Sequence, residues 1–339
     1  MLAAQTAPDQ TAANPTGPRV IDRVLTGRTA WRAADVTPAD WRVVLDDTAQ
    51  AEILAIAATL RRQPVPMLAL RPDDFALPAC RAAMARASEM LRNGVRFALV
   101  ERLPIDALSL DEAKAIYWLL SSLLARPVAQ KLNGTMMYDV HDTGQKALPG
   151  SGIRPDKTNV DLQFHNDNAY NALMPEIVGL LCVRQAEAGG LSRVMSFATA
   201  HNALREGFPA LLPRLYEPFW FDRQREHHAG EDTTFAAPLF VNEAGELRAR
   251  LALHQIRSGY VMRGGADDTT AAALDAVAAV FREPALQFSF TMQPGDMQFA
   301  ANREIGHSRT EFVDHADPAR KRLLIRLWLR DGGAPGYIG

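Results

Sequence analysis

The sequence predicts an α+β protein, mainly β in its second part, with a sandwich or barrel of antiparallel sheets backed by N-terminal helices. Two observations carry this. Up to about residue 124 the apolar residues recur at helical spacing, whereas after residue 130 they gather in short runs separated by Gly, Pro and Asp. Strands in succession, with helices mostly collected at one end of the chain, are the pattern of stacked antiparallel sheets.

The first 18 residues, MLAAQTAPDQTAANPTGP, are polar and punctuated by proline, and read as a disordered tail. Residues 19–339 read as a single domain, with a helical lead-in over 19–128 and a strand-rich core over 129–331, although a length of 339 residues alone would suggest two. In TAQAEILAIAATLRR, Ile53, Leu54, Ala57 and Leu60 share one helical face. PACRAAMARASEMLRNG opens on Pro78 and closes on Gly94, the usual asymmetry of helix ends. Ser109 and Glu112 form a capping box for a helix that stops before Pro127. VRFALVERLP, between these helices, reads as a buried strand. In the core, NVDLQF, EIVGLLCV, PLFVN, LQFSFTM, DMQFA and RLLIRLWL read as strands, and SFATAHNALREG and TTAAALDAVAAVFRE as helices. HDTGQKALPGSGIRPDK is rich in turn formers and reads as a mobile loop near the site.

Composition excludes several functions. Lys+Arg 37 against Asp+Glu 39 leaves a net charge of −2, so no basic excess exists to meet a nucleic acid or an anionic membrane. No apolar run reaches the roughly 18 residues that a bilayer span needs. Cys80 and Cys182 are far apart without CxxC spacing, which suits a reducing compartment, and the expected location is the cytoplasm. The sequence leaves homo-oligomerisation open.

VDLQFHNDNAYN holds the first chemical signal. Along a strand, Gln163, His165 and Asp167 point to one side while Leu162 and Phe164 point to the other. An isolated HxD is more often a hydrogen-bonded pair than half a metal site, so further ligands are required. GDMQFAANREIGHSRT supplies His307, 142 residues after His165 (307 − 165). Two histidines and one carboxylate occupy one face of an octahedron and leave the others open, the arrangement of non-haem Fe(II) oxygenases. RKRLLIRLWLR places Arg322, Leu324, Arg326 and Trp328 on one strand face. A guanidinium there suits a dicarboxylic co-substrate, while the plainer reading is a solvated sheet face.

HxD at 165–167, GGLS at 189–192, GDMQFAANREIGHSRT at 295–310 and RLLIRLWL at 322–329 resemble the taurine/2-oxoglutarate-dependent dioxygenase superfamily, TauD/TfdA. With NGVRFALVERLP and GTMMYDVHDTG the likeness spans about residues 30 to 330. The resemblance implies a double-stranded β-helix, a jelly-roll core backed by the N-terminal helices. It implies that His165, Asp167 and His307 hold Fe(II), that Arg322 binds the far carboxylate of 2-oxoglutarate and that Ser192 assists. Arg326 would sit nearer the metal, against the other end of the co-substrate or an acidic group of the substrate. The implied reaction consumes O2, releases succinate and CO2, and hydroxylates an unactivated C–H of a small amino-acid-like or natural-product substrate. Desaturation and cyclisation share the scaffold and stay open, whereas halogenating relatives lack the carboxylate that Asp167 retains. Asn166 stands where Thr is frequent in the family. Asn133, Asn166, Asn168, Tyr170 and Asn302 are candidate substrate contacts or, equally, turn residues.

REHHAGE, with His227, His228 and Glu231, reads as a solvated loop because adjacent histidines diverge, though in the family this region can form a lid. The rival enzyme class is an O2-independent cupin-like metal isomerase or lyase. It would share the jelly roll and the histidines without needing a strand arginine for a dicarboxylate. A binding protein on a degenerate oxygenase fold is disfavoured by the intact triad.

Overall fold

Asp46, Ser109, Ser196 and Asp267 each accept a backbone N–H from three residues further on, satisfying an orphan donor at a helix start. The helices they open are Asp47–Arg62, Leu110–Ser121, Phe197–Gly207 and Asp268–Phe281. Glu112 returns its carboxylate to the Ser109 N–H at 2.8 Å, completing the capping box expected from the sequence. Pro78–Arg92 begins on its proline, as predicted. The computed structural model describes residues 19–145 and 157–337; the predicted tail and most of the HDTGQKALPGSGIRPDK loop lie outside them.

Two sheets face each other. The larger has the strand order Arg42–Val44, Phe97–Glu101, Met297–Ala301, Ile177–Arg184, Leu323–Leu329 and Pro127–Val128, with Met137–Val140 also paired to Leu323–Leu329. It is antiparallel apart from its first pair. The smaller is antiparallel in the order Phe288–Phe290, Ser192–Ser196, Ile305–Arg309 and Leu162–His165. The two-sheet core and its helices are the mixed α+β jelly-roll architecture that the sequence predicts.

Three large apolar clusters fill the layers, beside a small fourth of Val128, Val178 and Trp328. One joins Ile53, Met84, Leu91 and Ile116 of the N-terminal helices to Leu323, Ile325, Leu327 and Leu329. A second lies between the sheets, where Phe97, Leu99 and Leu324 meet Val194 and Ile305. The third covers the smaller sheet, packing Phe164 and Met195 against Leu204, Ile256 and Val277 of later helices. Strand Leu323–Leu329 therefore divides by parity, its odd residues toward the helices and its even residues toward the interior. Gly179 is required in the neighbouring strand, because a Cβ there would strike the Tyr117 hydroxyl and the Phe299 ring.

The structure departs from the sequence reading in two ways. Helices cover both sheets rather than gathering at the N-terminal end, and one of them, Leu253–Met262, has no periodic signature strong enough to predict it. Its Gly259 permits contact with the Trp220 carbonyl, so close packing overrides poor propensity. The strands Ser192–Ser196 and Ile305–Arg309 were not foreseen either, since sequences such as IGHSR show no apolar alternation.

Asp296, in the turn before Met297–Ala301, is buried, and its carboxyl is pushed up to about 6 by burial, with Glu101 adding to the rise while the Gln293 and Arg102 N–H groups and the Arg42 charge oppose it. A folded-state value above the unfolded one near 3.9 favours folding at low pH, and that contribution disappears as pH rises through about 6. Asp296→Asn should therefore gain stability on wild type by about 1 kcal/mol between pH 5 and pH 8. Urea unfolding at the two pH values measures it, and an identical difference at both would refute the assignment.

Candidate active site

His307 and His165 are directly opposed partners on adjacent antiparallel strands, so one backbone register brings together residues far apart in the chain. Their ring centroids are 4.3 Å apart. Asp167 follows at the end of the Leu162–His165 strand, and its Oδ1 lies 3.5 Å from His165 Nε2 and 3.6 Å from His307 Nε2. One ligand atom from each of the three residues lies within 4.8 Å of the others. Among the described residues no other group of three His, Cys, Asp or Glu side chains is so arranged.

The backbone that carries Asp167 is clamped. Asn302 accepts the Asp167 N–H at 2.9 Å and donates its amide to the carbonyls of Asp167 and Pro175, at 2.9 and 3.1 Å. Asn166 pairs with Leu251 through backbone and side chain, at 2.7 and 2.6 Å, and donates to the Asn302 carbonyl. The Asp167 carboxylate is held as firmly. Its Oδ2 accepts the Trp328 indole N–H at 2.6 Å and meets Arg326 Nη1 at 3.2 Å, which leaves Oδ1 facing the imidazoles. Arg326 is fixed in turn by Gln130, whose Oε1 accepts its Nε–H at 2.8 Å.

The electrostatics select a cation. Burial raises the Asp167 carboxyl, but the Arg326 charge and the two imidazoles override it and hold the group well below the usual carboxylate range. Burial and the neighbouring His165 lower His307, against the pull of Asp167, so its imidazole is neutral at physiological pH. The Gln163 carbonyl lies 2.9 Å from His165 Nδ1, where it would accept a hydrogen bond from that nitrogen and orient Nε2 toward Asp167. Two imidazole nitrogens and a carboxylate oxygen converging at these distances form a donor set that a positive ion would join. The donor set, two nitrogens and one oxygen, fits a ferrous ion with open positions.

Arg322 and Ser192 line a narrow slot that runs to the triad, with Leu162, Leu180, Gln298 and Ser308 as other walls. Burial lowers the Arg322 guanidinium to about 10, and its Nη1 is buried without a hydrogen-bond partner among the described residues. Gln298 Oε1 is likewise unpartnered. Leaving a buried cation uncompensated is costly, so the slot is built for an anion and suits one carboxylate of a dicarboxylic acid. His165, Asp167 and Arg326 also border a larger cavity of about 410 Å³.

Asn166, Asn168 and Tyr170 lie on the wall of that cavity, as the sequence suggests. Asn168, at φ +57°, donates to the Leu173 carbonyl and accepts from Asn171. Asn302 and Asn133 are corrections. Asn302 is fully buried and lies behind Asp167, outside the lining, because its amide is occupied by backbone. Asn133 is exposed and caps Thr135, away from the cavity. Sequence reasoning gave Trp328 a face but no role, and it missed Gln130. His228 is exposed, and the Glu231 carboxylate pairs with Arg223 and accepts the His228 backbone N–H at 3.0 Å, a loop contact with the backbone and not with an imidazole.

Residues 63–328 match the family model described as "Taurine catabolism dioxygenase TauD, TfdA family". The chain is 29% identical over 317 residues to an FR-33289 synthase of Streptomyces rubellomurinus, covering 91% of each chain. Its fold is similar to that of an asparagine oxygenase in complex with Fe(II), 2S,3S-3-hydroxyasparagine and succinate, with TM-score 0.62, 22% identity and coverage of 86% of this chain and 94% of that one. It is also similar to the non-heme iron oxygenase OrfP in complex with Fe and alpha-ketoglutaric acid, with TM-score 0.60, 14% identity and the same coverage.

Asn302→Ala removes the partners of three backbone groups beside Asp167, and buried unsatisfied groups cost about 1–3 kcal/mol each. The variant should unfold at a clearly lower urea concentration than wild type. An unchanged midpoint would show that the clamp contributes nothing.

Proposed function

Because the chain belongs to the TauD/TfdA dioxygenase family, and so is an oxidoreductase that uses Fe(II), 2-oxoglutarate and O2, we propose that it hydroxylates an unactivated C–H of a small amino-acid-like or natural-product substrate. The observation that carries this reading is the convergence of three candidate ligand atoms in a buried cleft, joined by a slot to a buried guanidinium whose Nη1 has no hydrogen-bond partner among the described residues. His165, Asp167 and His307 hold the iron, and Arg322 with Ser192 holds the far carboxylate of 2-oxoglutarate. When bound, iron and 2-oxoglutarate supply the oxidising chemistry, in which O2 converts the keto acid to succinate and CO2 and delivers one oxygen to the substrate.

The chain's own residues supply orientation and shielding. His165, oriented by the Gln163 carbonyl, and the clamped Asp167 present ligand atoms without rearrangement. Leu162, Leu180 and Leu324 keep water from the slot. Arg326, on the floor of the larger cavity, gives the substrate or the near end of the co-substrate a cation to approach. A small polar substrate agrees with the asparagine, glutamine and arginine side chains of that cavity, and the fold neighbours bind hydroxylated amino acids. Retention of Asp167 favours hydroxylation over halogenation.

Succinate release in air tests the whole reading, since an O2-independent isomerase or lyase would form none. Alanine at His165, Asp167 or His307 should reduce it by more than the roughly 10- to 100-fold that losing an outer-shell partner costs. Arg322→Leu should raise the KM for 2-oxoglutarate by about 10- to 100-fold, the worth of a charged hydrogen bond. Unchanged succinate formation in the triad variants would overturn the ligand assignment.

A further inference from the structure

We propose that Trp328 is a positioning residue that restricts Asp167 to one-oxygen coordination and so keeps three positions of the metal open. The proposal rests on the ligand assignment above. A carboxylate can give a metal one oxygen or two, and the second would fill a position that the co-substrate, O2 or water otherwise takes. What decides between these modes is how the far oxygen is held.

That oxygen is held by two donors from the opposite sheet. Trp328 Nε1 donates to Asp167 Oδ2 at 2.6 Å, a short distance of the kind that ionised acceptors give. Arg326 Nη1 stands 3.2 Å from the same oxygen. Both donors are themselves rigid. The Trp328 ring is 2% exposed and packs with Val128 and Val178. Gln130 accepts from Arg326 Nε at 2.8 Å and donates to the Arg326 carbonyl at 2.9 Å. Rotating the carboxylate to offer both oxygens would break the indole bond and leave a buried N–H without a partner, at about 1–3 kcal/mol. Asn302 blocks the alternative of moving the backbone.

A plainer role is conceivable, since a buried indole needs an acceptor and Asp167 provides one. The two roles differ in what the metal reports. Mn(II) alone is the probe, and its EPR line broadening in 17O-enriched water counts the exchangeable water positions. Wild type should show three. Trp328→Phe, which keeps an aromatic ring and removes the donor, should show two, as should 3-benzothienylalanine at position 328, which keeps the bicyclic shape without the N–H. Near-UV circular dichroism establishes that each variant is folded, and the isosteric residue decides if the Phe variant is not.

Three waters in a folded variant would reduce Trp328 to a core residue and overturn the proposal. Failure of wild type to bind Mn(II) would instead strike the ligand assignment on which the proposal stands, so the two failures are distinct.

Discussion

Two imidazole nitrogens and one carboxylate oxygen, aimed at a common point inside the protein, are an arrangement that costs free energy to bury on its own. Burial removes the water that would otherwise solvate these polar groups. Much of the surrounding structure exists to maintain this arrangement. Register sets the two histidines opposite each other, the Asn302 and Asn166 amides fix the backbone of Asp167, and Trp328 with Arg326 fixes its side chain. A cation bound there would satisfy all three groups without rearrangement of its ligands, which is the physical content of a preorganised metal site.

The two arginines of one strand face carry different electrostatic work. Arg326 has a permanent acidic neighbour in Asp167, so its charge is balanced within the protein. Arg322 has no such ion pair among the described residues, and burial has already lowered its guanidinium to about 10. Asp314 supplies charge nearby without an ion pair, which leaves the Arg322 Nη1 donor for an anion from outside. Four residues of separation on an extended strand, about 13 Å, divide these roles between the centre of the cleft and its far end. That spacing places a carboxylate-binding group at a distance from the triad which a short dicarboxylic acid can span.

The sheets give both features their rigidity. Odd residues of Leu323–Leu329 are locked into the helix-side core, so the even residues cannot turn away from the interior without exposing four large apolar side chains. The smaller sheet is braced by its own helices through Phe164 and Met195. The triad on the smaller sheet and the arginines and Trp328 of the larger sheet thus keep their separation through packing on faces remote from the chemistry.

Local chemistry determined much of this protein in the sequence itself. The Ser109–Glu112 capping box and the Pro78 start located two helices, periodicity others, alternation identified the Leu323–Leu329 strand and the direction of Arg322 and Arg326, and motif order pointed to the TauD/TfdA family. Period and capping are properties of neighbouring residues, so one chain suffices to read them. Long-range pairing is not local. Only the tertiary structure could show that His307 lies on a strand facing His165, that Asn302 braces Asp167 instead of lining the cavity, and that Trp328 and Gln130 belong to the site at all. Each depends on contacts between residues more than a hundred positions apart, and such contacts are fixed by which surfaces pack together, not by the spacing of the letters.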